Sequence, residues 1–296
     1  MSDDEPAFEP TTGLVTLGDL DVAYIEQGEG PLAICLHGFP DTAWSWRHLM
    51  PALADAGYRA VAPFLRGYAP SAVPADGNGQ AGASVADVGG LHDALGGDAD
   101  SVIVGHDWGA VVAYGCAVHE PERWHRVVAA SVPPGPVMGQ AFLDYDQLQR
   151  SWYMFFFCNP LSDIVVQLED RAFIDRLWQD WSPGFDGATD AARAREALAD
   201  PRALATALDI YRSAFGVSEV DPAFDPHQAA AAGVPAQPVL YLHGANDGCI
   251  GAEQATATAA LLPSGSSVEI VDGAGHFLQL EQPARVNQLI LEFLAG

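Results

Sequence analysis

The aspartate in the segment Gly105-His106-Asp107-Trp108-Gly109 is the residue whose type and setting point most directly to chemistry. An apolar run, residues 101–104, precedes the segment and a stretch of small residues, 110–115, follows it, which predicts a strand, a sharp turn and a helix. Such a turn presents a nucleophile. A carboxylate that attacks an acyl carbon makes an unstable anhydride, whereas one that attacks a saturated carbon makes an ester that water can cleave. Asp107 therefore indicates the opening of an epoxide or the displacement of a halide.

Cleaving that ester needs a base to activate water and an acid to orient the base. His276 lies in the glycine-rich segment Gly273-Ala274-Gly275-His276-Phe277, and Asp247 lies in a loop just after a predicted strand. The order nucleophile, acid and histidine is the one expected when the nucleophile stands on such a turn. We therefore assign catalytic roles to Asp107, Asp247 and His276, with Asp272 as a weaker alternative to Asp247.

The segment His37-Gly38-Phe39-Pro40 follows the third predicted strand and supplies the other half of the site. In this arrangement, one backbone N–H of the oxyanion hole comes from that loop and the second comes from the residue after the nucleophile. We expect these donors to be the N–H groups of Phe39 and Trp108. His37 and His106 are expected to hold turns by hydrogen bonds rather than to act in catalysis.

Short apolar strands alternate with helical patterns over most of the chain, which indicates an α/β fold with a mostly parallel, doubly wound sheet. Ser84 is a plausible N-cap of the second predicted helix. The predicted strands are residues 12–16, 20–25, 32–36, 58–62, 101–104, 127–132, 239–243 and 268–271, and the predicted helices include 41–54, 84–95 and 284–293.

The alternation breaks after the sixth strand, at Pro133-Pro134-Gly135-Pro136, and from about residue 138 to 232 the chain reads as helices only. A helical insertion between two strands of an open sheet is expected to lie as a cap, or lid, over the carboxyl ends of the strands. We therefore predict a core formed by residues 1–135 and 233–296, with a helical lid at 136–232.

These motifs together resemble the epoxide hydrolase group of the α/β-hydrolase fold. The histidine-glycine-x-proline segment at 37–40, the loop 66–71 and the nucleophile segment 105–109 carry the resemblance, which extends over nearly the whole chain. It implies two lid tyrosines that donate hydrogen bonds to the epoxide oxygen, and the matching positions are Tyr153 and Tyr211. Tyr145 is a spare candidate. We expect the substrate pocket to include the side chains of Phe39, Trp108, Trp152 and Phe277.

The amino-acid composition limits which binding partners the protein can have. The formal charge of −26 comes from 39 acidic against 13 basic residues, which argues against nucleic acid and anionic membranes as partners. The acidic start lacks the features of a signal peptide, and four scattered cysteines show neither a disulfide framework nor metal-ligand spacing. We expect a cytoplasmic protein without cofactor or metal, acting on a small apolar epoxide and water. The sequence is also compatible with a homodimer.

Two other functions are compatible with the same residues. A haloalkane dehalogenase would use the same nucleophile, but it needs two N–H donors to the halide. Trp108 offers one such donor, whereas Phe39 stands where some dehalogenases have an asparagine. A ligand-binding protein of the same fold would be free to lose members of the triad, and this chain keeps all of them.

Overall fold

The computed structural model describes residues 8–296, and its centre is one eight-stranded sheet. The strands are β1 Thr11–Leu17, β2 Leu20–Gln27, β3 Leu32–Leu36, β4 Arg59–Pro63, β5 Val102–His106, β6 Arg126–Ala130, β7 Val239–Gly244 and β8 Ser267–Val271. Their order in the sheet is β1-β2-β4-β3-β5-β6-β7-β8. The β1–β2 and β2–β4 pairs are antiparallel, and every pair from β4 to β8 is parallel. This mostly parallel α/β sheet confirms the predicted fold class.

Strands β3, β5 and β7 are buried at every residue, so both faces of the sheet are covered. This is expected of a parallel sheet with helices on both sides. The core helices outside the lid are α1 Leu49–Asp55, α2 Ala81–Ala94, α3 Trp108–His119, α12 Gln254–Leu261, α13 Leu278–Glu281 and α14 Pro283–Ala295. Short 3-10 helices lie at Ala43–Trp46, Pro121–Arg123 and Pro222–Phe224.

The regular elements of the described segment between β6 and β7 are all helices, as predicted, and they are joined by loops. Its helices are α4 Gly135–Ala141, α5 Tyr145–Arg150, α6 Trp152–Phe157, α7 Ser162–Val165, α8 Leu168–Trp181, α9 Ala188–Ala197, α10 Pro201–Ala214 and α11 Asp225–Ala231. Within α8, residues 169–171 have positive φ angles, so regular helix begins only after them. The helices of this segment range from the four residues of α7 to the fourteen of α10.

Helix α11 packs against α2 and α3 of the core, and these contacts are more extensive than those of α4 with the core helix α12. A Cβ on Gly115 of α3 would lie only 3.1 Å from the Cα of Ala231, so glycine permits this close contact. The sequence places the lid at 136–232. On this packing we propose that the lid ends near residue 221 and that the core resumes with α11.

Two of the helix predictions are wrong in detail. The predicted helix 41–54 is divided into the 3-10 helix Ala43–Trp46 and α1, because Pro51 has no N–H and its ring would clash with the carbonyl four residues earlier. Ser84 is not an N-cap, since α2 begins three residues before it. The N–H of Gly82 in the first turn is satisfied instead by the side chain of Gln228 on α11, which is distant in sequence.

All four cysteines, Cys35, Cys116, Cys158 and Cys249, are free thiols in the described part of the chain. None of the helices among residues 8–296 combines the length and the hydropathy that crossing a bilayer requires.

Candidate active site

Asp107 lies at the sharp turn between β5 and α3, with φ 54° and ψ −124°. This positive φ is rare for a residue with a side chain, and it marks local backbone strain. The turn needs its glycines, because a Cβ on Gly105 would overlap the carbonyl of Gly109, and a Cβ on Gly109 would overlap that of Leu36. The geometry is that of a nucleophile elbow.

The two oxygens of the Asp107 carboxylate have different surroundings. Oδ1 accepts a hydrogen bond of 2.8 Å from the backbone N–H of Phe39. Oδ2 lies 3.4 Å from Nε2 of His276. Trp108 occupies the first position of α3, where no carbonyl of the helix can accept its N–H. One oxygen is thus held by the loop after β3, and the other faces an imidazole.

His276 and Asp247 form a buried hydrogen-bonded pair. Nδ1 of His276 donates to Oδ2 of Asp247 at 2.9 Å, while Oδ1 of Asp247 accepts the backbone N–H groups of Cys249 at 2.7 Å and Ile250 at 3.0 Å. Because Nδ1 is engaged with Asp247, the other ring nitrogen of His276 faces Asp107. This is the arrangement of an oriented general base.

The electrostatics of the pair follow from this contact. Burial alone would lower the pKa of His276, but the charge of Asp247, with further contributions from Cys249 and Asp107, raises it well above its ordinary value. Burial alone would raise the pKa of Asp247, yet the charge of His276 and the hydrogen bond to it hold that pKa below its ordinary value. Asp247 therefore stays ionised, and it favours the protonated form of His276.

The backbone of His276 is held on both sides. Its N–H donates to the carbonyl of Trp181 at 3.1 Å. Its carbonyl accepts hydrogen bonds from Nε2 of His106 at 2.8 Å and from Oγ of Ser131 at 2.7 Å. The predicted structural role of His106 is confirmed. Ser131 was not predicted from the sequence, because nothing near it in the chain indicates a partner 145 residues away.

His37 has the structural role that the sequence predicts for it. Its Nδ1 donates to the carbonyl of Gly38 at 2.8 Å, and its Nε2 accepts the N–H of Leu65 at 3.0 Å. Burial lowers the pKa of His37 to about 4, so the ring is neutral near pH 7. It joins the loop after β3 to the loop after β4.

The two lid tyrosines contact each other and line the same cavity as Asp107. Tyr153 on α6 and Tyr211 on α10 are both buried, with ring centroids 5.9 Å apart in a T-shaped contact. The hydroxyl of Tyr153 lies 3.2 Å from Sγ of Cys249, whereas the hydroxyl of Tyr211 makes no well-aligned hydrogen bond among residues 8–296, although the Trp108 side chain lies close enough to oppose the rise in its pKa. Burial, reinforced by the nearby charge of Asp107, raises the pKa of Tyr211 well above 10, and burial does the same for Tyr153. Both phenols therefore stay protonated at neutral pH.

A cavity of about 370 Å³ joins these groups, since Asp107, Tyr153 and Tyr211 all line it. The rest of its wall is mostly apolar. Residues from the core and the lid contribute to that wall, among them Val111, Val132, Met138, Phe142, Met154 and Phe215.

The predicted pocket residues lie in different places. Trp108 lines the cavity, but Phe39, Trp152 and Phe277 do not. The ring of Phe39 makes a T-shaped contact with that of Tyr211, with ring centroids 5.5 Å apart. Phe277 stacks on the indole of Trp178, with ring centroids 3.4 Å apart. Trp152 is 49% exposed, because neighbouring helix residues point in directions about 100° apart and Tyr153 takes the inward one.

Two alternative residues lie away from the site. Tyr145, the spare tyrosine, is 75% exposed. Asp272, the weaker candidate for the acid, is also exposed, and Asp247 is the residue bonded to His276. The geometry therefore favours Tyr153, Tyr211 and Asp247.

Within residues 8–296, Asp247, Cys249 and His276 have ligand atoms within 4.8 Å of one another, close enough to hold a metal ion. However, both oxygens of Asp247 already accept hydrogen bonds, and burial raises the pKa of the Cys249 thiol, which disfavours the thiolate that a metal requires. The set therefore fits an acid–base pair better than a metal site. The absence of metal and cofactor stays a prediction.

The chain is similar to known proteins in both sequence and structure. A sequence profile for the alpha/beta hydrolase fold matches residues 31–283. The chain is 32% identical to Epoxide hydrolase A of Mycobacterium tuberculosis, over 97% of this chain and 98% of that protein. It is 30% identical to an AB hydrolase superfamily protein of Bacillus subtilis, over 97% and 96% of the two chains. The crystal structure of Epoxide Hydrolase A from Mycobacterium thermoresistibile superposes with a TM-score of 0.74 at 28% identity, covering 97% of this chain and 99% of that one.

Proposed function

The chain belongs to the α/β-hydrolase family, in its epoxide hydrolase group, and from that premise we propose that it adds water to an epoxide to give a vicinal diol through an ester of Asp107. The observation that carries this proposal is the position of the Asp107 carboxylate, between the Phe39 N–H and the imidazole of His276, in a cavity that two buried tyrosines also line.

In the first step, Oδ2 of Asp107 attacks a ring carbon of the epoxide. A new carbon–oxygen bond forms as the ring bond breaks, and the electron pair moves to the epoxide oxygen. That oxygen takes a proton from Tyr153 or Tyr211. Since Oδ1 already accepts the Phe39 N–H, Oδ2 is the oxygen that remains for attack. Two phenol donors stabilise the developing negative charge more than they stabilise the neutral ring.

In the second step, His276 takes a proton from water, and the water oxygen attacks Cγ of the ester. The negative charge that develops on Oδ1 is stabilised by the N–H groups of Phe39 and Trp108. The Cγ–Oδ2 bond then breaks, and the diol leaves with a proton from the imidazolium. The proton left on Asp107 returns to the phenolate, so no cofactor or metal is needed to balance the reaction.

The pair of tyrosines favours an epoxide over a haloalkane as substrate. A departing halide leaves as a stable anion, whereas an epoxide oxygen becomes a basic alkoxide that needs a proton. Tyr153 and Tyr211 supply protonated phenols beside Asp107, and Phe39 offers no side-chain donor that would hold a halide.

Trapping the ester tests the mechanism. The His276→Gln variant, incubated with an epoxide such as styrene oxide, is expected to gain the full mass of the epoxide, with the modification mapped to Asp107 by peptide mass spectrometry. His125→Gln, at an exposed histidine, is the matched control and is expected to turn over substrate without accumulating an adduct. The double variant Asp107→Ala/His276→Gln is expected to gain no mass.

One outcome of the trapping experiment would contradict the proposed mechanism. If His276→Gln binds epoxides yet never gains mass with any of them, the two-step scheme is wrong. The wild-type protein is assayed in parallel for diol formation and for halide release from 1-haloalkanes. Halide release without diol formation would support the dehalogenase instead.

A further inference from the structure

One polar side chain lines the cavity away from the reacting groups. Apart from Asp107, Trp108 and the two tyrosines, Gln228 is the only described residue in the cavity wall whose side chain carries an amide, hydroxyl or charged group. It belongs to α11, the helix that packs against α2 and α3. The proposed mechanism does not use it.

The orientation of this amide is set by a neighbouring helix. Oε1 of Gln228 accepts a hydrogen bond of 2.7 Å from the N–H of Gly82, in the first turn of α2. Only the carbonyl oxygen of the amide can accept from an N–H, so Nε2 is fixed as the opposite end of the group. A Cβ on Gly82 would lie 2.7 Å from the backbone nitrogen of Gln228, so glycine is needed for this close approach.

The Nε2 end of the amide is unused. It makes no hydrogen bond with any residue between 8 and 296, although its Oε1 is bonded to Gly82. A substrate that fills the cavity removes water from this group, and an N–H group that loses water without gaining a partner is destabilised. A matching acceptor on the substrate removes that cost.

We propose that Gln228 determines specificity by donating a hydrogen bond from Nε2 to an acceptor oxygen on the non-reacting part of the substrate. The inference rests on the proposed function, and it narrows the substrate class to epoxides that carry an ether, carbonyl or hydroxyl oxygen several bonds from the ring. Val111, one helical turn after Asp107 on α3, lines the same wall, so the cavity extends from the nucleophile along α3 towards α11.

A positional scan of the substrate tests this proposal. The probes are 1,2-epoxyoctane and a series in which an ether oxygen replaces each chain methylene in turn. The wild-type protein is expected to prefer one member of the series over 1,2-epoxyoctane by about 2- to 10-fold in kcat/KM, the range of a single neutral hydrogen bond. Comparing the same probes across variants cancels the intrinsic reactivity of each epoxide.

Two substitutions remove the donor in different ways. Gln228→Glu retains an oxygen that can accept the Gly82 N–H but replaces Nε2 by a second oxygen, and Gln228→Met removes both polar atoms. Both are expected to lose the preference while they still convert 1,2-epoxyoctane. Gln149→Glu, at an exposed glutamine of the lid, changes the net charge equally and is expected to keep the preference.

The two proposals fail in distinguishable ways. A flat series in the wild-type protein, or a preference that survives in both Gln228 variants, overturns the role of Gln228 and leaves the epoxide hydrolase proposal intact. If no member of the series is converted and His276→Gln gains no mass with any of them, the proposed function itself fails.

Discussion

The core and the lid hold their parts of the candidate site by different means. In the core, Asp107, Asp247 and His276 all exchange hydrogen bonds with backbone groups or with each other. In the lid, Tyr153 and Tyr211 are positioned mainly by ring contacts, with Trp181 and Phe157 among their neighbours, and Tyr211 lacks a well-aligned hydrogen bond at its hydroxyl within residues 8–296.

This difference has consequences for function. Hydrogen bonds to backbone groups restrict an atom to a narrow range of distance and angle, whereas packed rings tolerate small displacements. The core therefore presents the nucleophile and base in one fixed arrangement. The lid presents two donors that are held less firmly, since the Tyr211 hydroxyl makes no well-aligned hydrogen bond within residues 8–296 and the Tyr153 hydroxyl contacts only the weakly bonding sulfur of Cys249. We expect core substitutions to abolish single steps, and lid substitutions to have graded effects.

The largest effect is expected for Asp107→Ala. No other group at the elbow can form the ester, so kcat/KM for any epoxide substrate should fall by about 10⁴-fold or more. The measurement is diol formation, with thermal unfolding as a check on folding. If Asp107→Ala kept more than about one hundredth of the wild-type kcat/KM, water would have to attack the epoxide directly. The core would then not supply a nucleophile, and the contrast with the lid would no longer hold.

The second prediction concerns pH and Asp247. Since Asp247 raises the pKa of His276, and the base must be neutral to accept a proton from water, activity should fall as the pH drops below that pKa. Asp247→Asn removes the charge, so the acid limb of kcat should move to lower pH. The maximal rate should fall by about 10²-fold or more, because the imidazole also loses its orienting partner.

Hydrolysis of the preformed ester, followed in single-turnover experiments across pH, measures this limb directly. Asp272→Asn is the matched control, because Asp272 is an exposed acid in the loop that carries His276. An acid limb that stays in place in Asp247→Asn, or that moves equally in Asp272→Asn, would contradict the assignment of the acid.

The same contrast explains what could be predicted from the sequence. Asp107, Asp247 and His276 each lie in a short glycine-containing segment after an apolar strand, so the local pattern places all three at one edge of a parallel sheet. The tyrosines have no such local pattern. Tyr153 lies in an aromatic run in which Trp152 was also predicted to line the pocket, and only the rotation of α6 separates the buried ring from the exposed one.

Other features depend on contacts between distant segments. The bond between Ser131 and the His276 carbonyl joins residues 145 positions apart, and the one between Gly82 and Gln228 joins residues 146 apart. Neither residue type nor spacing indicates such pairs. The second bond also accounts for the wrong N-cap at Ser84, because α2 can begin earlier when a side chain from α11 accepts the N–H in its first turn.

The third prediction concerns the lid. Tyr153→Phe and Tyr211→Phe should each lower kcat/KM by about 10- to 1,000-fold, and the double variant should approach the activity of Asp107→Ala. The unfolding temperature of Tyr211→Phe should change little, because its hydroxyl makes no well-aligned hydrogen bond within residues 8–296. Tyr145→Phe, at an exposed tyrosine, is the control for both measurements and should resemble the wild type.

Unequal effects of the two tyrosine substitutions on activity would change the view that the lid supplies two equivalent donors. If Tyr211→Phe abolished activity while Tyr153→Phe had no effect, one phenol would supply the whole proton donation, and the second would serve only as packing. Full activity in the double variant would remove the main reason for preferring an epoxide to a haloalkane.

The smallest effect is expected for Ser131→Ala, which tests how firmly the core holds His276. The His276 carbonyl would lose one of two hydrogen bonds and keep the one from His106, so the free energy of unfolding should fall by about 1 kcal/mol. Ser131 has φ 69°, a strain that alanine shares, so the substitution isolates the hydroxyl.

The rate separates a positioning role from simple stabilisation. If the two hydrogen bonds position His276, Ser131→Ala should lower kcat by less than about 5-fold and leave KM unchanged, as expected when one neutral bond in a redundant pair is lost. Ser213→Ala in α10 is the matched lid variant, because within residues 8–296 its hydroxyl donates only to the carbonyl of Ile210 in the same helix. An equal loss of kcat in both serine variants would mean that the rate follows global stability rather than the placement of the base.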